Sequence, residues 1–235
     1  MAAALIFLAS APLARADSMR WIGWSPDESR YAYLLRQPYG ETGYTGVRLI
    51  VRNTKTGVVV GNYVVRDARR IVEDPPIEEE TEEELREREV AWSDELLRRG
   101  YQKGRILPYK ITQPKGRPAR PGLPMITPAI VEWDRRKLIF SPTSTRSETR
   151  LNARVGSRRS RAVQVSKAPI QPLYFMTGLP EQQVFRIPAT YPTGFYLSPS
   201  GKWMASSWQG RATLPDGFSW PLYSFSFPVS ALPRN

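Results

Sequence analysis

One phrase is written twice in this chain, near its two ends. Trp24-Ser25-Pro26-Asp27-Glu28 leads into "RYAYLLR", and Leu197-Ser198-Pro199-Ser200-Gly201 leads into "WMASSW". Each copy closes one strand on an apolar residue, turns, and opens an alternating strand. Proline makes the break, because it fixes its own φ and brings no N–H to a β ladder. The repeat therefore commits both ends of the chain to antiparallel hairpins. "FSPTSTR" at 140–146 reads as a degenerate third copy. Trp24 and Trp203, one in each clear copy, are expected to be structural.

The text between the copies carries the same period. Val47, Leu49 and Val51 alternate, Asn53 and Gly57 make a turn, and "VVVGNYVVRDA" returns, which reads as an antiparallel meander. "AIVEWDRRKLIFSP" reads as two strands around a turn at "DRRK". "RLNARVGSRRSRAVQVSK" reads as a hairpin with Gly156 near its tip, and "QPLYFMTG" and "QQVFRIPA" as short strands. In "WPLYSFSFPVSAL", Tyr223, Phe225, Phe227 and Val229 alternate with Leu222, Ser224, Ser226 and Pro228, so one buried aromatic face is expected. The 22 prolines suit a loop-rich β protein.

Two stretches interrupt this pattern. Residues 74–100 read as a helical insertion, capped at Asp74 and stopped at Gly100, with Leu85, Trp92 and Leu96 in one stripe and a break near Ser93. Its first three turns are nearly all charged and are expected in solvent. Residues 108–128 read as a Pro-rich basic loop. Ahead of everything, residues 1–16 combine a short apolar run with Ala14-Arg15-Ala16, the form of a signal peptide whose removal leaves Asp17 first. That run is too short to span a bilayer core of about 30 Å. The expected organisation is a signal peptide at 1–16 and a single β-rich domain at 17–235.

The Ser-Pro turn with its flanking strands resembles the Ser-Pro-Asp-Gly-Lys hairpin of β-propeller blade repeats, such as those of the periplasmic translocation protein of the Tol-Pal system. "VRLIVRNTKTGVVV" resembles the outer strand pair of such a blade. The overall plan is similar to that of bacterial predicted secreted proteins of unknown function. The resemblance covers about 40 residues at each end and implies blade-like sheets. A full propeller needs at least four blades. The expected fold is therefore mainly β, with antiparallel meanders in a sandwich-like or incomplete propeller arrangement and one helical insertion.

Chemistry is constrained by what is missing. The chain has no His and no Cys. Ser-His-Asp and Cys-His catalysis, and zinc or copper sites built on those ligands, are excluded. "SPDES" lacks the spaced oxygens of a calcium loop, and "GETGYTG" lacks the lysine and helix of a phosphate loop. No metal or cofactor is implied. A paired-carboxylate hydrolase would have to draw on few acids in the second half: Glu132, Asp134, Glu148, Glu181 and Asp216.

Charge points to a partner. The net charge is +12, and it divides into −3 over residues 1–101 and +15 over residues 102–235. The candidate polyanion-binding residues are Arg150, Arg154, Arg158, Arg159 and Arg161, on and around the Gly156 hairpin, with Lys167 close by. Clustered guanidinium groups take phosphate or carboxylate bidentately. In an exported protein the expected partner is an envelope protein or an anionic polymer or lipid, and not genomic nucleic acid. No further stretch is apolar enough for a membrane span. A structural envelope component without ligand is the alternative, and the acidic run Glu78–Glu84 has a bland role as counter-charge to the basic half.

Overall fold

A computed structural model describes residues 18–38, 45–67, 81–111, 127–144, 148–156, 160–169, 189–210, 212–214, 217–219 and 222–234. The expected signal peptide, Asp74, the body of the Pro-rich loop, the short strand at 171–178 and all but Ala189 of the one at 182–189, Arg158 and Arg159 lie outside these residues. The described chain is mainly β, with three larger antiparallel sheets and one α-helix.

The first sheet is a meander of β1 (Ser18–Trp24), β2 (Arg30–Pro38), β3 (Thr45–Asn53) and β4 (Val59–Arg66), in that order. Period-two alternation gives it two faces. One presents Ile22, Ala32, Leu34, Val47, Leu49 and Val65 to α1 (Glu82–Arg98), which answers with Leu85 and Leu96. Trp92 and Tyr101 close the rim.

The helix differs from expectation in three ways. It is capped by Thr81, whose hydroxyl accepts from the Glu84 N–H while the Glu84 carboxylate accepts from the Thr81 N–H, a reciprocal capping box. It runs through Ser93 without a break, and the buried Ser93 hydroxyl is satisfied by donating back to the Glu89 carbonyl. Its opening residues 81–84 are exposed as expected, but its buried stripe includes a charge. Glu89 is buried and accepts from Arg36 Nε at 2.6 Å, so the stripe toward the sheet is Leu85, Glu89, Ser93 and Leu96.

The third sheet, ordered β10-β9-β8-β7-β6, contains β6 (Tyr109–Ile111), β7 (Ala129–Trp133), β8 (Arg136–Ser144), β9 (Glu148–Val155) and β10 (Val163–Pro169). β6 takes the opening of the segment read as a Pro-rich loop and pairs it with β7. Ser141-Pro142 makes no turn. Both residues lie within β8, with Pro142 buried opposite Leu151, so the supposed third copy of the phrase is strand interior.

Between these two sheets lies the middle one, ordered β15-β12-β11-β5, from β5 (Arg105–Ile106), β11 (Ala189–Leu197), β12 (Trp203–Gly210) and β15 (Leu222–Pro228). A two-stranded hairpin, β13 (Ala212–Leu214) with β14 (Gly217–Ser219), joins β12 to β15. One side of the middle sheet sets Phe195, Leu197, Met204, Trp208, Phe225 and Phe227 against Val131, Leu138, Phe140, Leu151 and Ala153 of the third sheet. Each fully buried side chain of this size contributes about 1.5–3 kcal/mol of transfer free energy.

The other side carries small residues. Ala205, Ser224 and Ser226 make room for Trp24, Tyr31, Tyr33 and Ile50 of the first sheet. β15 is thus buried on both faces, where the sequence suggested one. Its serines find partners inside. Ser224 shares a hydrogen bond with the Tyr31 hydroxyl at 3.0 Å, and Ser226 donates to the Thr54 carbonyl at 2.6 Å. A polar side chain is stable there only because it is hydrogen-bonded.

The two copies of the phrase fold alike. The Ser25 N–H donates to the Arg30 carbonyl and the Ser198 N–H to the Trp203 carbonyl, both at 2.9 Å. The Glu28 N–H returns to the Ser25 carbonyl, as the Gly201 N–H does to Ser198. Glu28 and Gly201 both adopt positive φ, 56° and 75°. The side chains differ, since Trp24 is fully buried and Trp203 only partly so. The chain leaving α1 stitches the two copies together. Trp24 and Gln102 exchange backbone hydrogen bonds at 2.8 and 2.9 Å, and β5 then pairs with β11. Gly104 makes this possible: its φ is +69°, and a Cβ there would lie 2.1 Å from the Leu197 carbonyl oxygen.

A basic outer sheet face as candidate binding surface

The third sheet packs one face on the middle sheet and leaves the other outside. Strand register decides which side chains share that outer face. Arg150 stands opposite Thr143 and Lys167, Arg154 opposite Ile139, Ile139 opposite Ile130, and Ile130 opposite Lys110. Lys137 stands opposite Glu132. Residues directly opposite one another point to the same side of a sheet. Lys110, Lys137, Arg150, Arg154 and Lys167 therefore form one basic field across β6 to β10, with Glu132 and Glu148 as its acids. Lys110, Lys137, Arg150 and Lys167 are exposed, and Arg154 is half-buried.

Geometry within this field is partly settled by ion pairs. Arg150 Nε lies 2.6 Å from Glu148 Oε1, and Lys167 Nζ lies 3.9 Å from Glu148 Oε2. One carboxylate thus serves two cations. Asn152 donates to the Thr143 hydroxyl at 3.0 Å. A bulge between Gln164 and Ser166 leaves Lys167 on the outer face while Ser166 donates inward to the Ser226 carbonyl.

Of the five arginines expected from the sequence, Arg150 and Arg154 come together on this face. Arg161 is exposed just ahead of β10. Arg158 and Arg159 lie outside the described residues. Sequence reasoning missed Lys110 and Lys137. Lys137 carried a usable signal, because it alternates with the buried Leu138 and Phe140 in "KLIF". Lys110 carried none, since its strand was read as loop.

Glu78 to Glu80 of the acidic run lie outside the described residues. Among the described residues, the helix ion pairs run from Glu82 and Glu89 to Arg36 and from Glu95 to Arg98 and Arg99.

A second surface feature lies where the repeated turns meet the helix exit. An open cleft of about 530 Å³ is lined by Gln102, Gly104, Arg105, Ser198 and Ser200 among others. Its side-chain polar groups are hydroxyls, an amide and the Arg105 guanidinium, which stacks over Trp133 at 5.1 Å. Among the described residues, no carboxylate lines it.

Three of the five late acids lie on described residues. Glu132 is exposed on the outer face, Asp134 bonds Arg136 in the β7–β8 turn at 3.2 Å, and Glu148 is held by Arg150. Glu181 and Asp216 lie outside the described residues. Among the described residues, no three metal-ligating side chains cluster. No described helix is long and apolar enough to cross a membrane. Comparison with protein families, curated proteins and solved structures finds no match to this chain.

Proposed function

We propose that this protein is an exported, non-catalytic binding module that engages an anionic partner through the outer face of its third sheet. The observation that carries the reading is the field of Lys110, Lys137, Arg150, Arg154 and Lys167, to which, among the described residues, Glu132 and Glu148 are the opposing charges in register. The signal-like segment at 1–16 supports export to an envelope compartment.

Retention on immobilised heparin, read as a function of salt, tests the binding role. Contacts to a polyanion weaken steeply as counterions return. Weak, salt-insensitive retention removes the reading. Intact-mass measurement of exported protein tests the address, with Asp17 as the expected first residue and a soluble product retaining Met1 as the contrary result.

A second reading, an envelope assembly component without ligand, is favoured by β4. It ends the first sheet, and Val60 and Val64 on it are half exposed. A sheet-end strand with exposed apolar side chains is the kind of surface to which a strand from another chain can add.

A further inference from the structure

The shape of the basic face says more about its partner than its charge does. We infer that the outer face of the third sheet lies flat against an anionic lipid bilayer, an inference that rests on reading that face as an anion-binding surface. The cations are not aligned in a groove. They occupy β6, β8, β9 and β10 of one continuous sheet, and at a strand spacing of about 4.8 Å this field is about 19 Å wide. A linear polyanion touches a row, whereas a plane of headgroup phosphates can meet the whole field at once.

The face also lacks what other anionic partners use. No aromatic side chain stands on it among the described residues, as Tyr109, Trp133 and Phe140 all belong to the inner side. Single-stranded nucleic acid needs such platforms for its bases. In their place Ile130 and Ile139 stand opposite each other near the centre, half-buried, with Lys110, Lys137 and Arg154 around them. Lysine and arginine stems lie along apolar surface while their heads reach the phosphates. Glu148 is already neutralised by Arg150 and Lys167, and Glu132 stands beside Lys137, so the acids leave the field net positive.

Vesicle co-sedimentation of the mature chain tests this. The probes are pure phosphatidylcholine vesicles and vesicles mixing phosphatidylcholine equally with phosphatidylglycerol, with heparin run in parallel. The expected result is binding to the mixed vesicles alone, reversed by salt. Each basic residue at an anionic surface changes the partition about fivefold, so Lys110→Gln, Lys137→Gln and Arg154→Gln together should lower it about a hundredfold. A second variant, Lys110→Gln with Lys137→Gln and Lys167→Gln, covers the case in which loss of Arg154 disturbs folding. A control, Arg20→Gln with Lys55→Gln and Arg86→Gln, removes the same charge elsewhere and should bind like the parent. Equal loss in the control, no loss in a folded face variant, or equal binding to both vesicles overturns the inference. Heparin binding without vesicle binding overturns it and leaves the broader anion-binding reading standing. Binding to neither removes both.

Discussion

The carboxylate of Glu28 accepts two hydrogen bonds from Ser200, one from its backbone N–H at 2.7 Å and one from its hydroxyl at 2.6 Å. These residues belong to the two copies of the Ser-Pro phrase. The copies are therefore alike in fold and also touch, turn against turn, closing the first sheet onto the middle one. Loss of the carboxylate in Glu28→Ala should loosen that contact. Hydrogen exchange at the Ser200 amide is the direct readout, and unchanged protection there would show that the clasp is dispensable.

Acid should weaken the same corner. The Ser25 hydroxyl, with help from Ser29, holds Asp27 well below its ordinary 3.8, at about 2. Burial pushes Glu28 up, but the bonds from Ser200 outweigh it and leave its carboxyl lowered. A carboxylate that binds protons less readily when folded stabilises the fold above its unfolded pKa. That contribution is lost as pH falls through the folded value, here from about 4 toward 2 for Asp27. Thermal melts of Asp27→Asn should be less pH-dependent over this window than those of the parent. Parallel slopes would assign the acid limb to other groups.

The pair Arg36–Glu89 is asymmetric, with the guanidinium 28% exposed and the carboxylate 4%. Removing the buried member leaves an arginine that can turn to water. Removing the exposed member leaves a carboxylate shut beneath the helix. Arg36→Ala should therefore cost more than Glu89→Ala, the latter about 1–3 kcal/mol, between the exposed and buried limits for ion pairs. Denaturant midpoints of the two variants decide it, and the reverse order would contradict the burial argument.

Gly104 and Gly201 both adopt positive φ, yet their surroundings differ. A methyl group at 201 meets nothing within 4 Å, while one at 104 runs into the Leu197 carbonyl. Gly201→Ala should cost about 1–2 kcal/mol from backbone strain alone. Gly104→Ala should cost more and should also disturb the pairing of β5 with β11. Equal melting temperatures would mean that the helix exit shifts freely.

Trp24 and Trp203 were expected to be structural as a pair, but their burial separates them. Trp24→Ala should cost about 3–5 kcal/mol, the range for truncating a buried Trp. Trp203→Ala should cost less, because that ring is part-exposed at the same position of the repeat as Arg30. Both rings belong to one cluster, so equal losses in thermal melts would mean that partial exposure does not lessen what Trp203 contributes.

Much of this was legible in the chain. Period-two alternation gave the strands of the first sheet and the β7–β8 and β9–β10 hairpins, and the Ser-Pro phrases gave both tight turns. What escaped detection depends on long-range contact. Ser224 and Ser226 alternate with aromatics as a solvent face would, and only the approach of Tyr31 and Thr54 reveals them as interior. Glu89 sits in a run of charges and is distinguished only by Arg36. On the candidate surface, the arginines of β9 were visible, but assembling them with Lys110 and Lys137 required the register of five strands.

The order of layers is not the order of the chain. The first sheet and four strands of the third are complete by residue 155, whereas β11, β12 and β15 begin only at residue 189. A polypeptide emerging from the ribosome or a translocation pore thus displays Tyr31, Tyr33 and Ile50 on one side and Leu138, Phe140 and Leu151 on the other before their shared partner exists. Such surfaces aggregate when left bare. Sealing of both walls therefore waits for arrival of the C-terminal strands, and a chain interrupted before them carries two unsealed apolar walls, the kind of surface that holding chaperones and quality-control proteases recognise.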